Sequence, residues 1–332
     1  MYREPVSFMA GDNRLYGVLH RPASVTEVLR GVVLLSAGMK NRTGYARLYV
    51  ALADYLAEHG FPTLRFDFHG CGDSDGRHAP TGAWEEKHAD INEQVLTGSL
   101  AEDVVAAVAE IKRQTNCEDV LLFGLCSGAN TAVYAGDRIS DVCGLVLVNL
   151  PVAVDSSKRR QAHQGGMNLF QEQFMFEAYV RKLLSPRAWG RMFSGQSDFK
   201  SILYLMKKKL LGSQAAPKAT SADTTSTAPT VSADDGFGFN FDMLRTFESF
   251  WKSGRPIYLF FSENDPIRVN FETYFEQRHG LELMTRYSDL CHKIVFKNAN
   301  HSFVNSEWRE QLFERVAQCG SKETAWPTQA RR

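Results

Sequence analysis

Unbroken apolar runs alternate with amphipathic stretches along most of the chain. Residues 5–10 and 14–20 read as short strands around Gly11, Asp12 and Asn13, turn residues suited to a hairpin. Further strands are predicted over 31–36, 61–66, 120–123, 143–148, 257–261 and 293–296. Between them, helices are predicted over 45–59, 100–114, 241–252, 271–278 and 306–318, with Val104, Val108 and Ile111 marking one apolar face of the second. A β-branched run with no polar alternation is buried on both faces. Such strands alternating with helices predict an α/β fold, a mainly parallel sheet with helices on both faces.

After Pro151 the pattern changes. Helices are predicted over 167–184, 186–193 and 199–211, the last carrying Lys207, Lys208 and Lys209 at a solvated end. Residues 213–235 are rich in Ala, Thr, Ser, Pro and Asp, with Val231 their only large aliphatic. That composition buries too little surface to offset the entropy of ordering, so it reads as a flexible linker. The expected organisation is a core over 1–150, a helical cap insertion over 151–252 containing the linker, and a second core part over 253–332. An insertion after the sixth strand is expected to lie over the C-terminal strand ends, where open α/β sheets bind ligands. Phe170, Phe174, Phe176 and Tyr179 suit either the roof of an acyl pocket or packing of cap helices on the sheet.

With 332 residues, 44% of them hydrophobic, the chain can bury a sizeable core. Its 38 basic and 38 acidic residues balance, which leaves no electrostatic footprint for nucleic acid. No stretch approaches the roughly 20 apolar residues of a membrane span, and the first residues lack the apolar segment of a signal peptide. Six cysteines (Cys71, Cys117, Cys126, Cys143, Cys291, Cys319) form no Cys-x-x-Cys pair. Free thiols in a reducing, cytoplasmic compartment are expected, with neither metal nor cofactor. Asp73 and Asp75, beside glycines, read as turn caps rather than metal ligands.

The chemistry centres on Gly124, Leu125, Cys126, Ser127 and Gly128, between an apolar strand and a small-residue segment that can open a helix. A Gly-x-nucleophile-x-Gly elbow holds a reactive side chain on a strained strand-to-helix turn, and side chains two residues to either side would collide across it. With Ser127 as the nucleophile, Leu125 and Ala129 would take those places, and Leu125 is too large. Cys126 is therefore the candidate nucleophile. Downstream, Asp265 and His301 each follow the C-terminal end of a strand, in the order acid then base. His301 is placed to take the thiol proton and Asp265 to orient the imidazole, with Glu263 an alternative acid. His292 lies at the start of its strand, away from this edge. The Ser127 N–H, at the start of the elbow helix, and the Met39 N–H, after Gly38, are the expected oxyanion donors.

Several segments carry a resemblance: residues 37–44 (AGMKNRTG), 64–76 (LRFDFHGCGDSDG), 124–129 (GLCSGA) and 179–185 (YVRKLLS), with Trp189, Ser194 and Gly195 beyond. The chain resembles the α/β-hydrolase superfamily in its serine-aminopeptidase-like branch, and within it the exosortase A system-associated hydrolases. Ser127, where an Asp commonly follows the Cys in that subgroup, and the low-complexity linker depart from the subgroup pattern. Cysteine in the elbow also resembles dienelactone hydrolases and polyhydroxyalkanoate synthases, which work through a thiol. The resemblance implies a Cys-His-Asp triad on Cys126, His301 and Asp265, cleaving an ester or thioester of a small-molecule or carrier-protein-bound acyl substrate. Two alternatives are an acyltransferase or cyclase acting on a carrier-bound or CoA-linked acyl chain, and a non-catalytic binding protein of this fold. Neither the acyl group nor the oligomeric state can be read from the sequence.

Overall fold

The Gly11–Asp12 turn closes a hairpin of β1 (Tyr2–Ala10) on β2 (Asn13–Arg21), paired antiparallel from Tyr2 with Arg21 to Ala10 with Asn13. From there the sheet turns parallel. It runs β1-β2-β4-β3-β5-β6-β7-β8, with β3 (Gly31–Leu35), β4 (Thr63–Phe66), β5 (Val120–Leu125), β6 (Val142–Val148), β7 (Ile257–Ser262) and β8 (Cys291–Phe296). Only the β1–β2 and β2–β4 pairs are antiparallel. The structure is a computed structural model that describes residues 1–23, 30–37, 40–76, 98–153 and 239–321. These belong to one compact unit, 1–159 with 229–332. The helices expected over 167–184, 186–193 and 199–211, the aromatic run from Phe170 to Tyr179 and the linker over 213–235 lie outside the described residues.

Seven α-helices are described: α1 (Leu48–Glu58), α2 (Ala101–Thr115), α3 (Ser127–Arg138), α4 (Phe241–Lys252), α5 (Pro266–Asn270), α6 (Leu281–Arg286) and α7 (Ser306–Gly320). The period-2 alternation of the strands sorts their side chains into two cores. Val32, Leu34, Leu121, Phe123, Val146, Val148 and Phe260 meet α1 and α7 through Leu52, Leu56, Leu312 and Val316. Their neighbours Val33, Leu122, Leu147, Leu259 and Phe261 meet α2, α3 and α4 on the other face. Helix α4, which the sequence division put at the end of the insertion, buries Met243, Phe247, Phe250 and Trp251 in this second core. The stretch expected as a single helix over 271–278 is a π-helical segment, Phe271–His279, that continues α5. The helix expected from residue 45 begins with a 3₁₀ turn, Tyr45–Arg47, because Ala46 and Arg47 take left-handed φ values of 47° and 60°.

A buried polar cluster ties the hairpin to α1. His20 is fully buried; its Nδ1 lies 2.9 Å from Asp54 Oδ1, and the Arg65 Nε–H donates to its Nε2 at 2.8 Å. Arg3 grips the same Asp54. Burial, then the Arg65 charge, lowers His20 to about 4 despite Asp54. The unfolded chain therefore binds a proton that the folded one refuses, so stability falls as pH drops from about 6.5 to about 4. The loss should be about 1.4 kcal/mol per pH unit, about 3 kcal/mol over the window. His20→Asn should flatten that part of the stability profile, measured by denaturant melts from pH 8 to pH 4; an unchanged slope would show that His20 is not the group responsible.

Candidate active site

The elbow forms as the glycine spacing requires. Cys126 sits between β5 and α3 with φ 57° and ψ −125°, and its N–H donates to Val148 O at 2.8 Å. A Cβ on Gly124 would lie 2.2 Å from Gly128 O, and one on Gly128 would lie 2.3 Å from Leu35 O. The chain can make this turn only because both positions lack side chains. The same crossing sets the first turn of α3 against the exit of β3. The Ser127 N–H is the first of α3, where backbone N–H groups have no intrahelical acceptor. Met39 lies outside the described residues.

Asp265 and His301 come together as placed. Asp265 is almost completely buried, and its two carboxylate oxygens are divided between two tasks. Oδ1 accepts from Ile267 N–H at 3.0 Å and caps α5, while Oδ2 lies 2.5 Å from His301 Nδ1. The Cys126 thiol lies near enough to His301 to act on its charge. Burial opposes a charge on the imidazole, but the hydrogen bond to Asp265 and the influence of Cys126 and of the Asp265 charge push His301 up to about 10. Glu263 is engaged elsewhere: its Oε2 accepts from Asn298 N–H at 2.7 Å. His292 stacks on Tyr258, with ring centroids 5.2 Å apart, at the opposite end of the strands.

Beside His301 a small, shallow recess opens to solvent. Leu48, Tyr49, Leu125 and Ala37 give it apolar walls, and Lys40 and Tyr45 stand at the side, the ammonium 5.5 Å from the Tyr45 ring centre. Tyr49 is buried and donates its O–H to Leu35 O at 3.0 Å; burial and then the Cys126 charge raise its pKa.

Asp73 and Asp75 each reach a partner in a distant segment. Asp73 pairs with Arg42 at 2.7 Å, and Asp75 Oδ2 accepts from Arg14 N–H at 3.2 Å. The loop folds around buried Asp67, whose carboxylate takes the Arg42 guanidinium and the N–H groups of Arg42 and Asp73. Among the described residues there is no group of three or more side chains able to hold a metal, and no helix is long and apolar enough to cross a membrane. Sequence reasoning missed Arg42 and Asp67, and also Asn149 and Ser262, whose hydrogen bonds reach the His301 loop. Their only sequence signal is a polar residue at the end of an apolar strand, which many solvated loops share.

A mainly parallel sheet with helices on both faces, ending at its C-terminal edge in a glycine-flanked strand-to-helix elbow, is the architecture of the α/β-hydrolase class. The profile of the alpha/beta hydrolase family matches residues 32–315, and the chain belongs to that family. No curated protein matches the chain in sequence. Solved structures share the fold. An esterase from Pyrococcus furiosus is 14% identical, over 96% of this chain and 90% of its own, with a TM-score of 0.53. An alpha/beta hydrolase from Penicillium sp. sh18 is 16% identical over 98% and 100%, with a TM-score of 0.55. Dienelactone hydrolase from Anabaena variabilis is 14% identical over 96% and 95%, with a TM-score of 0.51.

Proposed function

We propose that the protein hydrolyses an ester or thioester acyl bond through a covalent acyl-Cys126 intermediate. The observation that carries this reading is the Asp265–His301 hydrogen bond at the sheet edge where Cys126 sits on the strained elbow. His301, oriented by Asp265, is the base placed to take the Cys126 proton. The thiolate attacks the acyl carbon, and the tetrahedral oxyanion is held by the N–H groups of Ser127 and Met39. His301 then protonates the leaving alkoxide or thiolate. In the second half-reaction it takes a proton from water, which displaces the acyl group from Cys126. Esterase and dienelactone hydrolase neighbours support acyl esters as the substrate class. Within the family, the motif at 37–44 and that at 64–76 favour the exosortase A system-associated branch and a cytoplasmic role.

Iodoacetamide labelling with peptide mapping tests the assignment. Burial pushes the thiols of Cys71 to about 11 and of Cys143 and Cys291 to about 12, and Cys319 well above its ordinary value, so these stay protonated and slow. Alkylation of Cys126 should track the loss of thioester hydrolysis. Labelling of Cys71 or Cys291 in step with that loss would overturn the assignment. Cys126→Ser should lower hydrolysis and capture of the acyl group by hydroxylamine in parallel; selective loss of capture would favour the acyltransferase alternative.

A further inference from the structure

Asn149 is the first residue after β6 and is fully buried, with a left-handed φ of 48°. Its side-chain amide is shared between the two strand exits that carry Asp265 and His301. Oδ1 accepts from Ser262 N–H at 2.8 Å, and Nδ2 donates to Ser262 Oγ at 3.0 Å and to the backbone carbonyl of His301 at 3.1 Å. Ser262 Oγ donates in turn to the carbonyl of Asn300 at 2.9 Å. The backbone N–H of Asn149 donates to Phe260 O at 2.8 Å, which fixes the residue to β7. Two successive carbonyls of the base-bearing loop are thus held from inside the sheet, by contacts separate from the imidazole–carboxylate bond.

We propose that Asn149, acting with Ser262, is a positioning residue that holds the His301 backbone so that its imidazole addresses both Asp265 and the Cys126 thiol. The proposal rests on the cysteine reading above. The imidazole ring can swing about its own side-chain torsions, and Asp265 alone tethers only one nitrogen. Anchoring the backbone at residues 300 and 301 restricts where the second nitrogen can lie. A buried amide at a left-handed position is otherwise a costly choice, since removing it takes away the partners of the Ser262 N–H, the His301 carbonyl and one contact of the Ser262 hydroxyl.

The decisive variant is Asn149→Gly. Glycine accepts the left-handed backbone without strain, so the substitution removes the amide and little else. The readout is the second-order rate of Cys126 alkylation by iodoacetamide from pH 5 to pH 10 on the full chain, beside the melting temperature. Wild type should react fast at neutral pH, and His301→Ala should slow that reaction. Asn149→Gly should slow it about tenfold at pH 7 and converge on wild type near pH 10, because an unpaired thiol is only a few per cent thiolate at neutrality. Ser262→Ala should move the profile in the same direction by less, and it decides the matter if Asn149→Gly does not fold. A lowered melting temperature with an unchanged alkylation profile in either variant would overturn the positioning role. A profile unmoved by His301→Ala as well would instead place the failure in the Cys126–His301 reading, and the proposal would fall with it.

Discussion

Cys126→Ala will abolish hydrolysis of esters and thioesters while leaving the fold intact. The substitution keeps the Cβ and the left-handed φ of 57° and removes only the sulfur, so the melting temperature should stay within a few degrees of wild type. The chemistry has no second route. Asp265 is committed to His301 and α5, and without a thiol the oxyanion donors can only polarise a carbonyl that water must attack unaided. Removing the nucleophile of a comparable triad costs about 10⁴- to 10⁶-fold in turnover, and the same range is expected here. Steady-state assays on a short-chain thioester settle it. Activity within about tenfold of wild type would defeat the covalent mechanism through Cys126, whereas a wild type without activity would favour the non-catalytic, binding-protein reading.

Gly128→Ala will damage the protein further still, in fold and in function together. The added methyl would lie 2.3 Å from Leu35 O and 2.9 Å from Ser36 O, atoms of the β3 exit that cannot rotate away. To admit it, α3 must move off the sheet by about an ångström, breaking packing of Ala129, Ala132 and Val133. A stability loss of about 3–5 kcal/mol is expected, lowering the melting temperature by roughly 10 °C. Folded molecules would carry a displaced elbow and lose about 100-fold in turnover. Gly11→Ala is the control. Gly11 has a positive φ, 55°, which Gly128 does not, but nothing lies within 4 Å of its would-be Cβ, so only conformational strain, about 1 kcal/mol, is at stake. Equal melting temperatures for the two variants would refute the close approach at Gly128.

How much of this was legible in the sequence follows from the kind of signal each element emits. Strands β3, β5, β6 and β7 announced themselves because burial on both faces forces nearly unbroken apolar runs. The elbow was legible because a steric collision leaves glycine as the only answer at 124 and 128. Asp265 and His301 could be placed by rank along the chain, since parallel strands send all their C-terminal ends to one edge. The choice between Asp265 and Glu263 could not be made that way. Both are carboxylates in one loop, and only the cap on α5 and the Asn298 contact separate them. Asn149, Ser262, Arg42 and Asp67 were silent for a related reason. A buried polar residue in a loop looks like a solvated one until its partners, up to 152 positions away, are brought beside it. The left-handed Ala46 and Arg47, which break the expected 45–59 helix at its start, give no sequence signal, since neither residue type favours that conformation.

Those two residues belong to a larger set. Ala46, Arg47, Cys126, Asn149, Asn298 and Phe303 all have left-handed backbones, and all lie in segments leaving the C-terminal ends of β3, β5, β6 and β8. Among the described non-glycine residues only Asn116, at the end of α2, shares that conformation elsewhere. The two ends of the sheet therefore obey different rules of replacement. At the far end the chain is relaxed, and a search for hardier variants has room to move. At the reactive end the change that would most relieve the backbone, glycine at 126, deletes the thiol itself, and loosening 46 or 303 slackens a wall of the recess. Robustness must be gathered away from the chemistry, and ageing by heat reaches the chemistry before it reaches the sheet.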